Sequence, residues 1–146
     1  MLEITQFLAV LSSTLFAGAA IYINIAEHPA RMGCETKIAA TVWAPSYKRA
    51  TFFQGGLAVL SFVTGFASWL LGAGIAWLFA ALLIGLVVPF TFIIIMPTNH
   101  KLLAPGRDTN SSETRALLVK WGNLHAVRSA LSFAASVLYV YLLLTA

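Results

Sequence analysis

Trp121, His125 and Arg128 stand at i, i+4 and i+7 of the stretch Trp121-Gly-Asn-Leu-His-Ala-Val-Arg128, so a helix would carry all three on one stripe. An imidazole with an ordinary pKa of about 6.5 can take or give a proton near neutrality, and a guanidinium can hold a developing anion. The run that follows, Ser129 to Ala146, is apolar. Counting back about 20 residues from Leu144 puts His125 and Arg128 at or just below a lipid interface. Charge held there is costly without partners, and ionisable residues at membrane depth face a bundle interior and are functional candidates. Residues of similar kind recur elsewhere: Asn24, Glu27 and His28, then Trp43, Tyr47, Arg49 and Gln54, then Asn99 and His100.

The elements that must position these side chains follow from composition. Of 146 residues, 60% are hydrophobic and 10% charged, with a mean hydropathy of +0.86, more apolar surface than a soluble core of this size needs. Four apolar runs, Ile4 to Ala26, Thr51 to Leu71, Ile75 to Met96 and Leu124 to Leu144, each approach the length that a hydrocarbon layer of about 30 Å demands. The expected fold is an all-α integral membrane protein, a single four-transmembrane-helix bundle over residues 1–146, with helices at about 4–28, 46–71, 75–96 and 113–145. No cationic region precedes the first run and no small-residue cleavage site closely follows it, so the run is expected to remain as a helix.

All nine Lys and Arg lie in or beside the connections after runs one and three, whereas the N-terminus, the Gly72-Ala-Gly74 turn and the C-terminus carry none. By the positive-inside rule both long connections face the cytoplasm and both termini the outer side, which suggests the inner (plasma) membrane of a bacterium. The net charge of +4 therefore reports topology and contact with anionic headgroups, and argues against a nucleic-acid partner. Cys34 is the only cysteine, which rules out a disulfide within the chain.

Along the first helix Ala17, Ala20, Asn24 and His28 share one face, where small residues admit a close neighbour; Pro29 should end or bend the helix near there. From Arg31 to Ala50 the spacing predicts a connection containing a short interfacial helix broken at Pro45. Taken singly, Trp43 and Tyr47 fit an aromatic belt, and Arg49 fits a side chain snorkelling to phosphate. Pro89 predicts a kink in the third helix, and Pro97-Thr-Asn99 reads as its stop. Ser111 or Ser112 is the expected N-cap of the fourth. Trp43, Tyr47 and Arg49 faintly echo Trp121, His125 and Arg128, as a parallel repeat would.

All the polar and aromatic candidates belong to the cytoplasmic helix ends, a one-sided concentration that points to a pocket between helices. Glu27-His-Pro-Ala30, Trp43 through Tyr47-Lys-Arg49, Pro97-Thr-Asn99, and Trp121 through His125 to Arg128 resemble, in order and over nearly the whole chain, the anthrone oxygenase-like family of small four-helix membrane proteins. The resemblance implies a four-helix membrane bundle and, through the family's fungal members, oxidation of anthrones to anthraquinones with dioxygen. For that chemistry His125 or His28 would be the base, Arg128 and Asn99 would stabilise the oxyanion, and Trp43, Tyr47 and Trp121 would sandwich a flat lipophilic substrate, with Asn24 and Arg49 completing its contacts.

No cofactor and no metal set are assigned. A metal or haem at His28 and His125, joined by Glu27 or His100, is the weaker enzymatic version, because neither H-x-x-H nor E-x-x-H spacing occurs. The expected partners are the lipid bilayer and a lipophilic small molecule, with a homo-oligomer or larger membrane complex left open. The non-enzymatic alternative is an accessory subunit or a carrier for such a molecule, in which the polar cluster merely ties the bundle together.

Overall fold

The computed structural model describes residues 1–145; Ala146, the last residue of the expected domain, lies outside them. Four helices, Leu2–Met32 (α1), Thr36–Ala73 (α2), Ile75–Leu102 (α3) and Ser112–Leu144 (α4), are each long and apolar enough to cross a membrane. No strand occurs among the described residues. Sequential helices are neighbours, α1 also lies against α4, and α2 meets α4 across the diagonal, so the bundle closes as a ring of alternating direction. A bilayer core of about 30 Å needs about 20 residues. The surplus in α2 and α4 lies at the end that carries Lys37, Lys48, Arg115 and Lys120, called here the basic end.

Between helices in lipid, close packing and interhelical hydrogen bonds replace the hydrophobic drive of soluble bundles. Ser13 and Ser136 join α1 to α4 through their hydroxyls at 2.8 Å. Ser61 donates to the Ala9 carbonyl at 3.0 Å and Ser68 to the Thr5 hydroxyl at 2.9 Å, which join α2 to α1. Tyr139 of α4 donates to the Ser61 carbonyl at 3.3 Å, and a Cβ on Gly65 would stand 1.8 Å from its hydroxyl oxygen. Glycine at 65 is what lets the Tyr139 ring lie against the α2 backbone. This half of the core, with Phe16, Trp77 and Ile84, is apolar; the basic half is built on Ile23, Trp43, Ile95, Leu118 and Trp121.

The breaks expected at Pro45 and Pro97 are continuous helix instead, and of the end or bend expected at Pro29 the end does not occur. At Pro29, α1 runs on to Met32, and at Pro97, α3 runs on to Leu102, which puts Pro97-Thr-Asn99 inside a helix rather than beyond one. Each proline lies two residues after a widened π-type segment, Ile23–Glu27 or Thr91–Ile95. There the His28 N–H bonds the Ile23 carbonyl and the Met96 N–H bonds the Thr91 carbonyl. The wider turn takes up the bend that a proline ring imposes on the carbonyl four residues back. Pro45 lies inside α2, whose start moves back to Thr36. The Thr41 carbonyl, deprived of its usual donor, is on an exposed surface, as is Pro45, where water or headgroups can satisfy it. The first connection therefore shrinks to residues 33–35.

The other connections hold the ends in place. Gly72 (φ +94°) and Gly74 (φ +95°) make the turn from α2 to α3, in a region of backbone space that favours glycine. Arg115 of α4 donates to the Cys34 carbonyl at 2.9 Å and to the Met32 carbonyl, capping the end of α1. Of the two serines expected to cap α4, Ser111 does so, accepting from the Thr114 N–H at 3.1 Å.

Candidate active site

Asn24 is the hub of the site. It projects from the π-type segment of α1 toward α4, where its Nδ2 donates to the Gly122 carbonyl at 3.1 Å. Its Oδ1 accepts from the Ser129 hydroxyl at 2.6 Å and lies 2.7 Å from His125 Nδ1. With the amide donating through nitrogen and accepting through oxygen, the His125 contact requires a proton on Nδ1. The neutral ring then presents the lone pair of Nε2, the atom a general base uses. His125 is 2% exposed.

Arg128, one turn further along α4, is 7% exposed and has no carboxylate partner among the described residues. Its Nη2 donates to Gln54 Oε1 at 2.5 Å, and its guanidinium carbon stands 5.0 Å from the centre of the Phe16 ring, a cation–π arrangement. Its Nε–H has no partner within the protein. His125 and Arg128 share a cavity of about 10 Å³, lined also by Tyr47, Thr51, Gln54 and Thr91, room for about one water molecule.

Around this pair lies an aromatic cluster. The His125 and His28 rings flank Trp121 at centroid distances of 4.9 and 5.1 Å. Trp43 meets Trp121 edge-on at 5.8 Å and stacks on Tyr47 at 5.0 Å with 3° between planes. Tyr47 thus covers a face of Trp43 that a flat ligand would need for stacking. A Cβ on Gly122 would stand 2.6 Å from the His28 ring, so glycine at that position is what lets His28 reach α4.

The structure brings together Asn24, His125, Arg128, Trp43, Tyr47, Trp121 and His28; of these, Tyr47, Trp121, His125 and Arg128 line the cavity, and Asn24, Trp43 and His28 do not. Asn99 is fully buried, but its Nδ2 donates only to Met96 Sδ, at 4.0 Å, its Oδ1 has no partner within the protein, and it lies off the cavity. Arg49, expected to contact substrate, is exposed. Two residues past Tyr47 on a helix of about 100° per residue, it points to the opposite side of α2. Glu27 bonds Arg31 and Ser46, a network closed by Arg31 donating to Ser46 at 3.1 Å, and His100 is exposed. The two donors considered as additions to a histidine metal site are therefore placed elsewhere. Among the described residues, no three His, Cys, Asp or Glu side chains converge.

Arg31, Ser129, Thr51 and Thr91 join the site without having been singled out for it. Glu27 and Arg31 are four residues apart, the spacing of a helical ion pair. Ser129, Ser132 and Ser136 extend the His125 stripe at helical period. Those two signals were legible in the sequence.

Four membrane-length helices around a buried histidine, arginine and amide network define a class: a small integral-membrane bundle with its polar site toward one end. Residues 43–138 match the anthrone oxygenase family, and the chain belongs to that family. It is 41% identical over 70 residues to an anthrone oxygenase of Aspergillus fumigatus, covering 46% of this chain and 44% of that protein. Against an anthrone oxygenase of Claviceps purpurea it is 28% identical over 145 residues, 89% of this chain and 83% of the relative. A third, from Aspergillus terreus, is 30% identical over 97 residues, 65% and 52% of the two chains. The chain thus matches about half the length of two of these curated relatives and most of the third. All three are fungal. No solved structure matches it.

Proposed function

We propose that this protein is a membrane-embedded oxygenase that converts a flat, lipophilic anthrone to the corresponding anthraquinone with dioxygen, using its own side chains and no cofactor. The observation that carries the reading is the pairing, in one polar cavity, of a histidine whose Nδ1 is held by Asn24 with an arginine whose Nε–H has no protein partner. Family membership supplies the substrate class.

His125 Nε2 removes a proton from the ring methylene, and Arg128 stabilises the oxygen of the resulting enolate. The methylene C–H bonds point off the ring faces, so the base meets a face while the guanidinium meets the edge that carries oxygen. The enolate passes an electron to dioxygen, and recombination of the two radicals forms a carbon–oxygen bond. Protonation gives a hydroperoxide. Removal of the second ring hydrogen from the same carbon as a proton, with cleavage of the O–O bond, leaves the quinone carbonyl and releases water. One anthrone and one dioxygen become one anthraquinone and one water.

The test is oxygen uptake by the purified protein in lipid nanodiscs with a dihydroxyanthrone as substrate. The expected result is one dioxygen consumed per quinone formed, at a rate proportional to protein and insensitive to chelators. Retention of the anthrone without turnover would instead make the protein a carrier.

The same reading places the basic end at an anionic cytoplasmic leaflet, supported by the gathering of all nine Lys and Arg toward that end of the helices, with none at the opposite end. Cys34, exposed in residues 33–35, is then expected to react with an impermeant maleimide in inside-out vesicles and to be protected in intact cells. Labelling in intact cells would reverse the orientation.

A further inference from the structure

We infer that the substrate enters sideways from the bilayer and lies in a groove between α2 and α3, with the end that carries oxygen at Arg128. The inference rests on the oxygenase reading for its occupant, a three-ring hydroxylated anthrone, and on the structure for its location.

A cavity of about 10 Å³ beside His125 cannot hold three fused rings, since pockets that bury ligands of that kind run from about 300 Å³ upward. An apolar groove of about 260 Å³ adjoins it, lined by Phe16, Gly55, Ala58, Val59, Val88 and Phe92 among others. Thr51, Thr91 and Arg128 line both spaces. The groove continues along α2 and α3 into a second hollow of about 410 Å³, with which it shares Ala58, Val59 and Val88. An apolar body and a polar head would thus meet an apolar trough and a buried donor, Arg128 Nε, that nothing in the protein satisfies.

Local sequence accounts for the groove. Gly55 and Ala58 give α2 almost no side chain along this line, and Thr91 opens the widened segment Thr91–Ile95 of α3. Segments of this type recur at functional sites because they re-aim the residues around them. Of two hollows of about 540 Å³, one between α1 and α4 shares no lining residue with the polar cavity and one between α1 and α2 shares only Arg31, whereas the α2–α3 groove shares Thr51, Thr91 and Arg128.

Gly55 and Gly56 provide the experiment. A Cβ added at either meets no atom within 4 Å, so larger residues fit the fold at both positions. Only Gly55 lines the groove; Gly56 is turned away from it by about 100°. Binding of a dihydroxyanthraquinone, the product, is measured by quenching of tryptophan fluorescence in nanodiscs, alongside oxygen uptake with the matching anthrone. Thermal melts check that each variant is folded.

Gly55→Leu is expected to weaken product binding and raise KM by about tenfold or more, while Gly56→Leu stays within about twofold of the parent. Val59→Trp, a second change in the groove wall, should follow Gly55→Leu and stands in for it should that variant fail to fold. If the parent binds and turns over, and both groove variants match it, the substrate lies elsewhere and the inference falls while the oxygenase reading stands. If the parent binds without turnover and the groove variants lose binding, the groove stands and the oxygenase reading falls. A parent that neither binds nor turns over overturns both and leaves the groove to lipid.

Discussion

His125→Ala lowers the rate of oxygen uptake with an anthrone by about 10²–10⁴-fold, the usual contribution of a positioned general base, while the chain still inserts and purifies as a folded bundle. The expectation rests on direction as much as on residue type. Asn24 takes up Nδ1 at 2.7 Å, and the ring lies against Trp121 at 4.9 Å, so the ring is held and Nε2 is the nitrogen left free in a side chain that lines the cavity. Asn24→Ala removes the contact that sets the tautomer but leaves the imidazole, so it should cost less turnover than His125→Ala. Its stability cost should be about 1–3 kcal/mol for leaving buried Ser129 and His125 atoms without their partner. Oxygen-electrode rates and thermal melts of the two variants separate the roles. Wild-type turnover by His125→Ala would remove His125 from the chemistry and leave it as a tie between α1 and α4.

Arg128→Met is expected to cut turnover by about 10²–10³-fold, as loss of one oxyanion donor does, with little change in melting temperature, because relief of the buried charge offsets the cost of leaving Gln54 Oε1 without its donor. An activity loss at constant or improved stability is the signature of a residue retained for function. Arg128 is 7% exposed and has no carboxylate within salt-bridge distance; Gln54 and the Phe16 ring are its partners. Neutral partners offset only part of the desolvation of a buried charge, and well-packed apolar replacements of such charges are often neutral or stabilising. Methionine fills comparable space and can adapt to an irregular gap. A large fall in melting temperature with turnover intact would show that Arg128 is structural glue, the role the alternative reading assigns to it.

The fold was legible for a simple reason. Four runs of apolar residues of spanning length admit only helices in lipid, because every backbone polar group must be satisfied within its own segment. The helix ends were less legible, since proline rules weigh a local clash against local alternatives. At Pro29 and Pro97 a widened turn absorbs the clash, and at Pro45 the orphaned carbonyl has an exposed surface; neither escape shows in the residue pattern. The candidate site was legible along α4, where Trp121, His125 and Arg128 hold a helical spacing that any helix preserves. It was not legible between helices: Gln54 as the acceptor for Arg128, Asn24 as the bridge to His125 and the outward position of Arg49 all depend on rotation about helix axes.

By itself the sequence determined that this chain is a four-helix membrane bundle with basic residues gathered at one end, because length and hydropathy select helices in lipid whatever their neighbours. It also determined that His125 and Arg128 share a stripe, because helical periodicity is a local property. The tertiary structure alone decided that Asn24 sets the tautomer of His125 and that Ser46 of α2 joins the Glu27–Arg31 pair. It alone decided, too, that the polar cavity adjoins an apolar groove between α2 and α3. Those outcomes depend on which faces of separate helices meet, and that choice is made by packing around Gly65, Gly122 and the two proline-linked segments, whose effect exists only once the helices are side by side.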